Sequence, residues 1–156
     1  MLAPGERAPE FALPDQSGRE TSLTSLLNSG ELLLAFFSGC PSPANTIHMR
    51  RIQALQGELQ RRGLVVAGIS PRLPAAHQKM REQLSLGFPL LSDRLRSVAR
   101  MYDVKGLLGF GVRRGTYLIS RGRVVIASVV DPFRIARHLA FMREAPERVL
   151  AQPSRF

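Results

Sequence analysis

The chain has 156 residues, with one cysteine, no tryptophan, 44% hydrophobic content, 22 basic against 12 acidic residues and a formal charge of +10. This length suits one globular domain over residues 1–156, with a core that needs no covalent staples. The lone Cys40 excludes an intramolecular disulfide, a CxxC pair and a thiolate metal cluster, each of which needs at least two sulfurs.

The charge does not by itself describe a nucleic-acid surface. Only Lys79 and Lys105 are lysines, leaving twenty arginines spread from Arg7 to Arg155, and the pairs Arg50–Arg51, Arg61–Arg62 and Arg113–Arg114 fall in different parts of the chain. A phosphate-binding surface more often clusters its cations and mixes in lysines, so nucleic acid is not an expected partner. The opening MLAPGERAPE lacks a basic start followed by an apolar run. No stretch approaches the ~18 apolar residues of a membrane span. The expectation is a cytoplasmic protein in a reducing compartment, with no membrane partner.

In chain order, Pro4, Pro9 and Pro14 punctuate an extended arm that ends in a turn over Asp15 to Gly18, which predicts a small hairpin. A short helix follows over Leu23 to Asn28, stopped by Gly30. ELLLAFFS, residues 31–38, is a nearly continuous apolar run and reads as a central strand buried on both faces. Beyond Pro43 the sequence is helical to Arg61, with Ile52, Leu55 and Leu59 on one face and Gly63 as terminator. LVVAGIS, residues 64–70, is a second buried strand, parallel to the first through a crossover helix.

A polar helix is expected over Ala75 to Leu84, then a short strand FPLL at 88–91. Ser92 or Asp93 would cap a helix through Val98 to Met101, and Val104 to Gly111 reads as a glycine-rich connection. GTYLIS (115–120) and RVVIASVV (123–130) flank the turn Arg121–Gly122 as an antiparallel hairpin. A last helix from Phe133 to Arg143, extendable toward Leu150, packs Ile135, Leu139 and Met142 on the sheet. The sum is an α/β architecture, a mixed central sheet with helices on both faces and an N-terminal β-hairpin.

The segment Ser38 to Thr46 is the best site candidate, because it joins the carboxyl end of a central strand to the amino end of a long helix. A thiol at such a junction meets unpaired N–H groups and the positive helix end, which favour a thiolate. Cys40 is therefore read either as a nucleophile or as a buried inert cysteine. Arg114 precedes the hairpin strand, where it would reach a substrate oxygen or a thiolate; Arg113, one residue earlier, points the other way. His48 is one turn before Ile52 and reads as a packing or hydrogen-bonding histidine, while His77 and His138 have no partner visible in the sequence. Three separated histidines do not make a metal motif, and GLLGFG lacks the strand and acidic residue of a dinucleotide fingerprint, so neither metal nor cofactor is expected.

Taken together, GERAPEFALPDQSGRETSL, LLLAFFS, LGFPLLSD, VARMYDV and RGTYLISRGRVV resemble, in order and spacing, the peroxiredoxin (AhpC/TSA) family, particularly its Q-type, bacterioferritin-comigratory group. The resemblance implies a thioredoxin-like fold, antioxidant activity by reduction of hydrogen peroxide or organic hydroperoxides, an external thiol reductant and a tendency to form homodimers. The active loop departs from the family. Counting from Phe36–Phe37, Ser38 stands where the loop's first proline belongs, Ser42 at its hydroxyl position and Asn45 at the peroxidatic cysteine. His48 stands where an acidic residue is common, and Arg50 at the Q-type resolving cysteine. Arg114 matches the arginine that supports the nucleophile. An amide is neither a thiolate nor able to pass through a sulfenic acid.

A second register aligns Cys40 with the first cysteine of Trp-Cys-Pro-x-Cys loops, with Pro43 in place of the second. Two readings stay open. In one, Cys40 reduces hydroperoxides with Ser42 and Arg114 near the substrate oxygens. In the other, the chain is a catalytically silent relative that binds a protein, small thiol or anion.

Overall fold

A computed structural model describes residues 1–106, 108 and 111–153. Strands β1 (Ala12–Pro14) and β2 (Glu20–Ser22) pair antiparallel. The turn between them is set by Asp15, whose Oδ1 accepts from the backbone N–H of Ser17 and Arg19 at 2.9 and 3.1 Å. Ser22 then caps α1 (Leu23–Leu27) in a reciprocal box with Ser25.

The main sheet has the order β5-β4-β3-β6-β7. At its centre β3 (Glu31–Phe36) runs parallel to β4 (Leu64–Ser70) and antiparallel to β6 (Gly115–Ile119). β5 (Leu90–Ser92) extends the parallel side and β7 (Val125–Val130) the antiparallel side. The apolar run of β3 has a direct cause. Leu32, Leu34 and Phe36 join one core with α1, the hairpin residue Phe11 and Tyr102. Leu33, Ala35 and Phe37 join the opposite core with Met49, Ile52, Leu139 and Met142. A strand covered on both faces cannot alternate apolar with polar residues.

The second core is covered by α2 (Pro43–Arg61) and α5 (Ile135–Leu150), with Met80 and Leu84 of α3 (Pro74–Leu84) packed against it. Val98 and Ala99 of α4 (Ser97–Met101) belong to the first. The thioredoxin-like α/β arrangement of mixed sheet, two helical layers and N-terminal hairpin is therefore the observed one.

Three local details differ from the sequence reading. β5 begins at Leu90 because Pro89 has no N–H to give, although its carbonyl accepts from Gly68 N at 2.9 Å. α4 starts after Arg96, which takes φ 57°; Asp93 still serves the helix end, its carboxylate accepting from Val98 N at 3.3 Å and Ala99 N at 2.9 Å. α5 starts at Ile135, two residues later than expected, and takes up the expected extension through the buried Pro146 to Leu150. Within the expected connection Val104–Gly111, residues 107, 109 and 110 lie outside the described residues. Among the described residues no helix is long and apolar enough to cross a membrane.

Candidate active site at the β3–α2 junction

The chain leaves β3 into the loop 37–42 and re-enters helix at Pro43. Proline suits the first helical position, where no N–H is needed, and Ser42 supplies the cap by accepting from Asn45 N at 3.2 Å. Gly39 is required twice over. Its φ is +77°, and a Cβ there would lie 2.6 Å from Arg72 Cγ and 2.9 Å from Ser70 Oγ.

Asn45, in the first turn of α2, is 1% exposed and is the hub of the site. Its Nδ2 donates to Ser38 Oγ at 2.9 Å and to the Cys40 carbonyl at 2.8 Å. Its Oδ1 accepts from Arg114 Nη2 at 3.0 Å. Arg114, just before β6, is 8% exposed, and its Nη1 donates to His48 Nδ1. Because an arginine can only donate, His48 Nδ1 must accept and the ring proton sits on Nε2. Burial, then the neighbouring Arg114 and His138, push the His48 pKa down to about 3, so the ring is neutral at pH 7.

The His138 ring lies 5.6 Å from the His48 ring, centroid to centroid, tilted at 55° to it. Its Nε2 lies 2.8 Å from the Asp131 carbonyl, which can only accept, so its Nδ1 accepts from Thr116 Oγ1 at 2.9 Å. The Asp131 carboxylate faces Arg137, and the Phe133 N–H foremost holds its pKa down to about 2. Among the described residues Arg114 has no carboxylate within ion-pair distance, and neither Arg114 Nε nor His48 Nε2 has a hydrogen-bond partner. Burial accordingly lowers the Arg114 pKa. The site holds a buried cation ringed by neutral acceptors.

Of the residues singled out from sequence, Ser42, Asn45 and Arg114 converge here; Arg113 turns away, donating to the carbonyls of Lys105 and Asp103 at 2.9 and 3.0 Å. Cys40 contributes its backbone, but its side chain is exposed, and among the described residues nothing hydrogen-bonds its sulfur. It precedes the first turn of α2 and stands outside it. His48 belongs to the site more closely than the sequence reading allowed. The available signal was its position one turn beyond Asn45 on the same face. Thr116 was legible in the same way, two residues beyond Arg114 on one strand face.

His77 is fixed beneath the loop, its Nε2 2.6 Å from Ser70 Oγ and its Nδ1 3.1 Å from Ser92 Oγ. Burial pushes its pKa down to about 4. No cluster of three or more His, Cys, Asp or Glu groups that could hold a metal occurs among the described residues.

A strand–loop–helix site at the carboxyl edge of a central parallel pair, faced by an arginine at the start of an antiparallel hairpin, defines a thioredoxin-fold protein. The chain belongs to the AhpC/TSA family, whose model matches residues 4–128, and lies close to its Q-type, bacterioferritin-comigratory members. It is 31% identical over 143 residues to peroxiredoxin Bcp of Escherichia coli, covering 88% of this chain and 90% of that protein. It is 34% identical over 125 residues to the bcp protein of Helicobacter pylori, covering 76% and 82%. The crystal structure of peroxidoxin BcpB from Mycobacterium tuberculosis superposes with a TM-score of 0.87 at 29% identity, over 99% of this chain and 100% of that one. A cysteine-to-serine mutant of Xanthomonas campestris peroxiredoxin Q shares the fold, with a TM-score of 0.79 at 23% identity over 91% and 92% of the two chains.

Proposed function

We propose that this chain is a peroxiredoxin-fold protein that acts by binding, without turning over peroxide at the family's catalytic position. The observation that carries this reading is the Asn45 amide, held by Ser38, the Cys40 carbonyl and Arg114 at the point where the arginine and the first turn of α2 converge. The amide already uses both of its N–H donors and cannot give electrons to an O–O bond. The expected result is that Cys40 reacts with hydrogen peroxide no faster in the folded protein than in the urea-unfolded chain. A sulfenate-trapping reagent and intact-mass analysis would measure the rate. Folded-state oxidation faster by about a hundredfold or more would overturn the reading.

A second reading is favoured by the exposure of Cys40. The Cys40 thiolate would attack one oxygen of a hydroperoxide; the O–O bond breaks, an alcohol or water leaves, and the sulfur becomes a sulfenic acid. An external thiol would condense with it, releasing water, and a second thiol would reduce the mixed disulfide. Ser42 Oγ accepts from Asn45 N as the helix cap and keeps its O–H to donate to a substrate oxygen, with Arg114 as the second donor. The same oxidation experiment separates the two readings.

A further inference from the structure

The silent site leaves open what is bound, and beside it lies a groove of about 570 Å³ between α2 and α3. Its size falls within the range of small-molecule sites. Ile47 of α2 and Met80 and Leu84 of α3 give it apolar walls, Pro41 also lines it, and Ile47 is left 45% exposed. Two cations line it, Arg72 and Lys79, and no acidic residue does. Among the described residues neither cation forms an ion pair.

These groups are segregated. On α3, Lys79 and Gln83 are four residues apart, as are Met80 and Leu84, so the helix presents a polar edge and an apolar edge side by side to the groove. Arg72 is placed by its stem, which packs against Gly39 closely enough to exclude any side chain there. A guanidinium and an ammonium beside an apolar trough complement a molecule with an anionic head and a hydrocarbon tail. A small inorganic anion would leave Ile47, Met80 and Leu84 uncovered, and a neutral apolar molecule would leave the two cations unanswered.

We infer that the α2–α3 groove binds a single-chain amphiphile with an anionic head, the head meeting Arg72 and Lys79 and the tail lying on Ile47, Met80 and Leu84. The inference rests on the binding reading above and gives that reading a ligand class. Cys40 immediately precedes the lining residue Pro41, so its exposed thiol is expected to sense occupancy.

The test is calorimetric titration of the full-length protein with decanoate below its aggregation concentration, beside decanol and butyrate. Decanoate is expected to bind at least tenfold tighter than either and to slow alkylation of Cys40. The double variant Arg72→Gln/Lys79→Gln, folded by circular dichroism, should lose about tenfold in affinity for decanoate, since charge-assisted contacts are lost. Equal binding of decanol and decanoate, or unchanged affinity in the double variant, would overturn the inference. Free amphiphile and lipid headgroup are distinguished by sedimentation with phosphatidylglycerol vesicles; co-sedimentation without decanoate binding also counts against the groove. A flat decanoate titration with slow Cys40 oxidation removes this ligand class alone, whereas tight decanoate binding with fast oxidation removes only the non-catalytic reading.

Discussion

The sharpest consequence of the site geometry concerns a cysteine placed where Asn45 now stands. In a Cys40→Ser background, Asn45→Cys puts the only thiol in the first turn of α2, facing the arginine whose Nη2 is 3.0 Å from the present amide oxygen. A thiolate roughly 4 Å from a guanidinium gains about 4 kcal/mol at an effective dielectric constant near 20. The helix end adds about 0.3–1 kcal/mol. Burial opposes the charge, and a net gain of about 3 kcal/mol corresponds to roughly two pKa units at 1.36 kcal/mol each. The thiol should then titrate near 6.5, against about 8.5 for a free cysteine. Thiolate absorbance near 240 nm followed against pH reads this directly, and peroxide consumption with excess dithiothreitol should rise above the Cys40→Ser parent. Adding Arg114→Gln should return the titration upward by about one unit or more. A thiol that titrates at or above the free value with Arg114 intact would refute the argument that the cation supports negative charge at position 45.

Two further outcomes follow from the same geometry. His48 and His77 are held neutral down to about pH 3 and 4, whereas in the unfolded chain each takes up a proton below about pH 6.5. The unfolded state therefore binds more protons, and stability is fully present above pH 6.5 and lost on acidification, by up to about 1.4 kcal/mol per pH unit for each histidine. Urea midpoints between pH 5 and 7.5 should show the slope and His77→Gln should reduce it, while a flat profile would contradict the burial of these rings. Gly39→Ala must adopt a left-handed φ of +77° and place a methyl 2.6 Å from Arg72 Cγ. It should cost about 2 kcal/mol or more, seen as a lowered urea midpoint; a loss below about 0.5 kcal/mol would mean that the loop adjusts freely.

Much of the fold was legible because β3 obeys a simple rule, its five residues Leu32–Phe36 covered on both faces and hence apolar. The hairpin over 115–130 was legible from its turn. The start of α4 was not, because Asp93 reaches the N–H groups of Val98 and Ala99 from outside the helix, and the residue at the cap, Arg96, carries no capping side chain. At the site, Arg114 was legible from its place before the hairpin strand and Asn45 through the family register, and the spacing of His48 and Thr116 would have added those two. The direction of the Cys40 side chain was beyond any periodicity, since it follows a left-handed glycine in a loop without regular period. The partners of His77 were hidden for a different reason. Ser70 and Ser92 come together only through the parallel register of β4 and β5, which places them opposite each other.

The Asn45 tether has a consequence for how the molecule opens. The first turn of a helix ordinarily frays early, having few bonds to anything beyond itself. Here that turn is tied by one side chain to the loop behind it and to Arg114, the residue just before β6. Fraying of that turn must therefore break three side-chain hydrogen bonds besides its own backbone ones, which ties the opening of the helix end to release of the loop and of Arg114.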